Sequence, residues 1–207
     1  MTNFIKRIMT AVILIPLALT IISNGGIGFA LFLWVIAVIC SYEYLKISRN
    51  ELFGIVYILA GIYSFYFLRK HEGFYAVLVV LITTWSNDSF AYFFGKSFGA
   101  NQIWPTISPQ KTWEGFFAGS IGAILIPLII QKYLPQIELN DIFYISFPSI
   151  VLVPMGDLIE SKIKRFYNVK DSGNLLPGHG GIFDRIDSLL LIGPWACFYF
   201  HFLKIND

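Results

Sequence analysis

Seven of the chain's 13 acidic residues fall in two short stretches, interleaved with basic residues and glycines. Residues 85–115 hold Asp88 and Glu114; residues 156–188 hold Asp157, Glu160, Asp171, Asp184 and Asp187. From Asp157, the residues Glu160, Ser161, Lys164 and Arg165 stand at offsets of 3, 4, 7 and 8, so a helix would carry all five on one face. A carboxylate pair at that spacing can hold a divalent cation through oxygen ligands. The basic pair one turn on can neutralise phosphate oxygens. A solvated amphipathic helix with internal ion pairs has the same spacing. Asp184 and Asp187 are three apart, flank Arg185, and follow Pro177-Gly178-His179-Gly180-Gly181. Glycines around a histidine let backbone N–H groups converge on an anion. The residue order of a P-loop is absent, and with no cysteine beside His179 a zinc site is excluded.

Asp88 lies inside the apolar run Phe74–Phe94, near its end. A carboxylate in such a place reads as a cation ligand or charge partner within a bundle; the pair Asn87-Asp88 also fits a helix start. Further on, Ser108 can cap a helix or touch phosphate, Lys111 offers a point charge and Thr112 a hydroxyl. Glu114 would open a helix in favourable orientation to its dipole. A capped return into the membrane with a snorkelling lysine explains the same residues. Carboxylates beside Lys, Arg and glycine loops together point to divalent-metal and polyphosphate chemistry at a membrane face. Residue types choose neither the nucleotide nor the lipid.

The elements that must position these groups are set by composition. Of 207 residues, 56% are hydrophobic and 14% charged, against about 25% charged in a typical soluble domain. The mean hydropathy is +0.66. A soluble protein of this size cannot hide that much apolar surface, so an integral membrane protein is expected, and disorder or a soluble Rossmann or barrel enzyme is excluded. Cys40 and Cys197 both lie in apolar runs and read as buried spectators. The net charge of +2 says little about partners.

Seven segments approach the length of about 20 apolar residues needed to cross a bilayer: Ile8–Ile22, Ile27–Tyr44, Leu52–Leu68, Phe74–Phe94, Phe116–Tyr133, Ile142–Gly156 and Ser188–Leu203. The first and sixth are short, which sets an expectation of six to eight crossings. The runs lack the two-residue alternation of a lipid-facing barrel, so the fold class is all-α, a polytopic transmembrane bundle forming one integral membrane domain over 1–207. The basic N-terminal start followed by an apolar core resembles a signal peptide but has no small-residue cleavage site, and reads as an uncleaved first helix. With the N-terminus in the cytoplasm, Lys6, Arg7, Lys46, Arg49, Lys96, Lys111, Lys162, Lys164, Arg165, Lys170 and Arg185 fall inside, and Arg69, Lys70, Lys132 and Lys204 outside. That bias obeys the positive-inside rule and puts residues 85–115 and 156–188 on the cytoplasmic side as the catalytic segments.

Ser161, Lys164-Arg165, Lys170-Asp171, Gly173, Pro177, His179-Gly180-Gly181, Asp184-Arg185 and Asp187 form a 27-residue pattern that resembles the signature of the phosphatidate cytidylyltransferases, or CDP-diacylglycerol synthases. Asp88, Ala91-Tyr92 and Gly95, and Ser108-Pro109, Lys111-Thr112 and Glu114-Gly115, resemble two further elements of that family. The resemblance runs from about Trp85 to the C-terminus. It implies a multi-pass helical protein of the cell inner (cytoplasmic) membrane, often a homodimer, with phosphatidate, CTP and membrane lipid as partners. The implied reaction is CTP plus phosphatidate giving CDP-diacylglycerol and pyrophosphate, dependent on Mg2+. Carried over residue by residue, the expected catalytic groups are Asp157, Lys164, Arg165, Asp184, Arg185 and Asp187. Ser108, Lys111, Thr112, His179, Gly180 and Gly181 would bind CTP, and Asp88, Asp157, Asp184 and Asp187 the metal.

The chain departs from the family in carrying Ser89 where many members have Thr and Gln110 where many have Lys, and it is shorter at its N-terminal end. Another CTP-using membrane enzyme, such as a polyprenol-type kinase or an archaeal-lipid cytidylyltransferase, shares the broad theme. A transporter would spread its charges along a midplane path rather than gather them at one face. An inactive structural homologue is the remaining alternative. Basic residues line the membrane rather than interleave with exposed aromatics, so no nucleic acid is expected as partner.

Overall fold

The computed structural model describes residues 3–49, 51–173, 175 and 180–204. Among the described residues, seven α-helices carry the fold: α1 Asn3–Asn24, α2 Gly26–Ser48, α3 Phe53–His71, α4 Phe74–Phe98, α5 Trp113–Gln131, α6 Leu139–Phe166 and α7 Phe183–Phe198, the last continuing as a π-helical turn, Tyr199–Leu203. Between α4 and α5 stands an antiparallel hairpin, β1 Gln102–Trp104 and β2 Ser108–Thr112. Six helices, α2 to α6 and α7 with its extension, are long and apolar enough to cross a membrane; the described apolar part of α1, Val12–Asn24, is shorter. The protein is therefore an all-α polytopic membrane bundle. Its outer surface agrees, with Ile27, Trp34, Phe53, Val56 and Phe117 all turned outward.

Helix lengths explain where the polar groups stand. In hydrocarbon every backbone group must be paired within the segment, which favours helices. At 1.5 Å per residue the 28 residues of α6 span about 42 Å, against about 30 Å of hydrocarbon. The surplus of roughly two turns can carry Asp157 to Arg165 beyond the apolar zone. An apolar window stops at Gly156 although the helix does not, which is why the sixth span looks short in the sequence. Neighbouring helices alternate in direction: Gly119 of α5 meets Asn87 of α4, and Gly156 of α6 meets Asp187 of α7 while Asp141 of α6 meets Tyr199 beyond α7. The last turns of α2, α4 and α6 thus meet the first turns of α3, α5 and α7 at one end of the bundle.

α4 is the central element. Ala76, Val77, Val79, Val80 and Leu81 are all nearly fully buried, and they pack with Leu68, Ile142, Ile145, Val153, Ile192 and Ala196 in one cluster. Its broadest partner is α5, which presents Gly115, Gly119 and Gly122 on one face. A Cβ at Gly119 would stand 2.9 Å from the Asn87 carbonyl oxygen, and one at Gly115 would stand 2.7 Å from that of Ala91. Small residues that let backbones touch are the usual basis of helix association in lipid, where no hydrophobic force acts between helices.

α6 and α7 are tied along their length. Pro148 has no N–H to give the Tyr144 carbonyl one turn back; the indole of Trp195 on α7 donates to that oxygen instead, at 2.9 Å. At the end away from the hairpin, Lys204 Nζ lies 3.1 Å from Glu138 Oε1 and 3.0 Å from Asp141 Oδ2, and the Tyr199 hydroxyl donates to Asp141 at 2.9 Å. At that same end Arg69 of α3 donates to the Ile22 and Ser23 carbonyls, 2.6 and 2.7 Å, satisfying the last turn of α1.

The glycine seam is testable. Gly119→Val should cost about 1–3 kcal/mol through overpacking against α4 and lower the thermal midpoint of the detergent-solubilised chain. Ile121→Leu, on the outer face, should leave it unchanged; equal midpoints for both variants would show that the seam does not hold α4 to α5.

Candidate active site

Three carboxylates meet where α6 ends and α7 begins. Asp157, Glu160 and Asp187 each offer an oxygen, and these oxygens lie within 4.8 Å of one another. Gly156 permits the meeting, because a Cβ there would stand 2.6 Å from the Asp187 carbonyl oxygen and 2.9 Å from Ser188 Cα. Lys111 Nζ pairs with Asp157 Oδ2 at 2.6 Å, and the Ser161 hydroxyl donates to Asp157 Oδ1 at 3.4 Å. Lys164 Nζ pairs with Glu160 Oε2 at 2.6 Å. Glu160 is 1% exposed, and its other oxygen, Oε1, is enclosed with no hydrogen-bond partner among the described residues. Asp187 accepts from the Ser188 amide at 2.8 Å, while the Tyr57 hydroxyl of α3 donates to its main-chain carbonyl at 3.4 Å. An enclosed carboxylate oxygen without a donor, beside two more carboxylates, fits a hard divalent cation, which takes oxygen ligands.

Asp184 has a different setting. It accepts from Ser172 N at 3.1 and 3.0 Å and from Gly181 N at 2.9 Å, and it pairs with Lys164 at 2.9 Å. It thus knots the loop between α6 and α7 and shares one lysine with Glu160. Gly180 has φ +87°, a conformation side chains disfavour. Glu43 of α2 accepts from the amides of Ile182 and Phe183 at 3.2 and 2.9 Å and from the Ser172 hydroxyl at 3.3 Å. The described amides at 181–183 are therefore all engaged by side-chain carboxylates of this chain.

The hairpin aims Lys111. Ile107 N bonds back to Trp104 O at 3.3 Å, closing a turn in which Pro105 fixes φ. Glu114 pins the base, accepting from the Ala100 and Asn101 amides and from Asn101 Nδ2 at 3.2, 3.3 and 2.8 Å. The Thr112 hydroxyl caps α5, accepting from Gly115 N at 3.2 Å. Lys111 then reaches α6, where it also donates to the Pro154 carbonyl at 3.2 Å. At the rim of the loop, the Tyr167 hydroxyl donates to Glu51 at 2.6 Å, and that carboxylate pushes the phenol up to about 12.

Of the residues singled out in the sequence, Asp157 and Asp187 lie in the carboxylate trio, Lys111 and Lys164 beside it, and Asp184 one lysine away. Asp88, on the third turn from the end of α4, is near enough to Asp157, Lys111 and Arg185 to feel their charges, but it stands outside the trio. Arg185 is exposed, and Arg165 donates to the Val169 carbonyl at 3.0 Å, bracing the end of α6. Ser108 opens β2, half-buried; Thr112 serves as a cap. His179 lies outside the described residues. Two participants were not assigned from the sequence. Glu160 completes the trio, a place its spacing from Asp157 already allowed. Glu43 was absorbed into the apolar run Ile27–Tyr44, although an acidic residue inside such a run is itself the signal.

A family model described as the cytidylyltransferase family matches residues 50–203. The chain is 40% identical over 167 residues to a phosphatidate cytidylyltransferase of Staphylococcus epidermidis, covering 76% of this chain and 63% of that protein. It is 38% identical over 174 residues to the enzyme of the same name from Bacillus subtilis, 83% of this chain and 57% of that protein. A Staphylococcus aureus phosphatidate cytidylyltransferase is 36% identical over 166 residues, 76% of this chain and 63% of that protein. The chain thus spans about three-fifths of the length of these curated relatives. The matched region contains the carboxylate trio, both lysines beside it and the knotted loop, and the chain belongs to the cytidylyltransferase family whose members include these phosphatidate cytidylyltransferases.

Proposed function

We propose that the protein transfers CMP from CTP to phosphatidate, giving CDP-diacylglycerol and pyrophosphate. The observation that carries this reading is the trio Asp157, Glu160 and Asp187, with Lys111 and Lys164 beside it, at one end of a membrane bundle and inside the matched region. A phosphate monoester is already a competent nucleophile near neutral pH, so no Ser or Cys nucleophile is needed. One of its oxygens attacks the α-phosphorus of CTP; the new P–O bond forms as the bond from the α-phosphorus to the bridging oxygen breaks, and pyrophosphate leaves with that electron pair.

The work of the chain is alignment and charge stabilisation. Asp157, Glu160 and Asp187 would hold a divalent cation, Mg2+ in this reading, which when bound supplies charge neutralisation at the triphosphate. Lys111, Lys164 and Arg185 offset the phosphoryl charge from the protein side. Asp184 holds Lys164 and the loop in place, and Asp88 adds negative charge at the approach from α4. Apolar outer helix faces keep the acyl chains in lipid while the headgroup meets the site. The positive-inside bias supports a cytoplasmic placement of this end of the bundle, and in this reading the membrane is the cell inner membrane.

Purified chain given CTP, phosphatidate and Mg2+ should form CDP-lipid and pyrophosphate, and none after chelation with EDTA until Mg2+ is restored. Formation of a phosphorylated lipid and CDP instead would overturn the reading. Asp157→Asn and Asp187→Asn should each lower turnover by about tenfold at the least, the scale seen when partners of a metal are altered. Both should leave the chain membrane-inserted, and undiminished pyrophosphate release from either would remove the trio from the reaction.

A further inference from the structure

Glu43 lies before the matched residues 50–203 and outside both polar stretches, yet it is 4% exposed. Among the described residues it forms no ion pair; its charge is met by three hydrogen-bond donors that come from far along the chain, Ser172, Ile182 and Phe183. Two glycines make room for it. A Cβ at Gly181 would stand 2.6 Å from Glu43 Oε2 and 2.7 Å from Oε1, and one at Gly173 would collide with Oε1. Both glycines therefore serve the enclosure of a carboxylate about 130 residues upstream.

The donors identify the role. The first amides of a helix have no partner within it, and α7 has no capping side chain of its own at Ile182. Glu43 replaces that cap from another helix, placing negative charge at the positive end of the α7 dipole. Its neighbour Tyr44 grips the same turn, with its ring edge-on to that of Phe183 at 6.3 Å between centroids, and Phe183 is fully buried. One turn beyond Phe183, on the same face, comes Asp187 of the trio; the residue immediately after Phe183 is Asp184.

We infer that Glu43 is a positioning residue: through the Ile182 and Phe183 amides it fixes where α7 starts and how it is rotated, and so holds Asp187 within reach of Asp157 and Glu160. The inference deepens the reaction proposed above and rests on it for its effect on turnover, but not for its effect on structure or cation binding. Glu43→Gln keeps the size of the side chain but turns a donor toward an amide donor. Glu43→Asp keeps the charge and shortens the reach.

The experiment uses the full chain in lipid nanodiscs, with three readouts. Hydrogen exchange reports the amides of residues 172 and 181–183, direct Mn2+ binding without nucleotide reports the trio, and kcat and KM report turnover. Glu43→Gln should deprotect those amides, weaken Mn2+ binding by about tenfold, and lower kcat by roughly tenfold to a hundredfold with the KM for phosphatidate unchanged. Glu43→Asp should fall between it and the parent chain on all three. Parental Mn2+ affinity and kcat in Glu43→Gln would overturn the inference, as would a loss of turnover that only follows the fraction of folded protein. A parent chain inactive with CTP, in which Glu43→Gln still loses amide protection and Mn2+ affinity, would uphold the positioning role and overturn the reaction.

Discussion

Mutual repulsion among Asp157, Glu160 and Asp187 is the constraint around which the rest of the molecule is arranged. Two unit charges 4.8 Å apart repel by roughly 3 kcal/mol at an effective dielectric of about 20. With all three ionised, the sum approaches the whole stability of a typical domain, about 5–15 kcal/mol. Positive charge built in beside such a cluster offsets that repulsion. Lys111 and Lys164 supply that charge from different elements, one from a hairpin and one from the helix that carries two of the carboxylates. Lys164 and Glu160 are both largely enclosed, and breaking such a pair by removing one member leaves an uncompensated charge and costs about 3–5 kcal/mol; the more exposed pair of Lys111 and Asp157 contributes less, because solvent screens it.

The frame that holds this cluster is built of close backbone contacts rather than of large side chains. Gly156 brings α6 against α7 at the trio, and Gly115 and Gly119 bring α5 against α4. Both contacts lie near one end of the bundle, so the helices are closest where their charges must be shared. The hairpin continues from that seam: α5 is capped by Thr112 and based on Glu114, and the strand just before the cap carries Lys111. A displacement of α5 along α4 would move Lys111 away from Asp157.

Much of this was legible in the sequence. Long apolar runs separated by turn residues locate the helices, because the bilayer admits few other backbones. The offsets from Asp157 to Lys164 place those residues on one helical face, and they do share it. What stayed hidden has physical causes. α6 extends nearly three turns past its apolar window, to Phe166, because a helix needs no apolar residues once it leaves the hydrocarbon. Whether Asp184 or Glu160 joins Asp157 and Asp187 depends on which carboxylate the loop amides engage, and the positions of the Ser172 and Gly181 amides decide that, not spacing. The short hairpin has too few residues to show a strand period. Glu43 is one acidic residue in a run of 18 residues that otherwise reads as lipid-facing, and its partners are about 130 residues away, beyond any local pattern.

The cluster of Lys204, Glu138, Asp141 and Tyr199 lies at the opposite end of α6 and α7 from the carboxylate trio. At the trio's end Lys164 of α6 pairs with Asp184 of α7, so the two helices are fastened at top and bottom, with the Trp195 indole as a further tie between. Sliding one past the other by a single turn would break all three ties together. The register of α6 against α7, and with it the distance from Asp157 and Glu160 to Asp187, is thereby set at both ends of the pair rather than at the acidic groups alone.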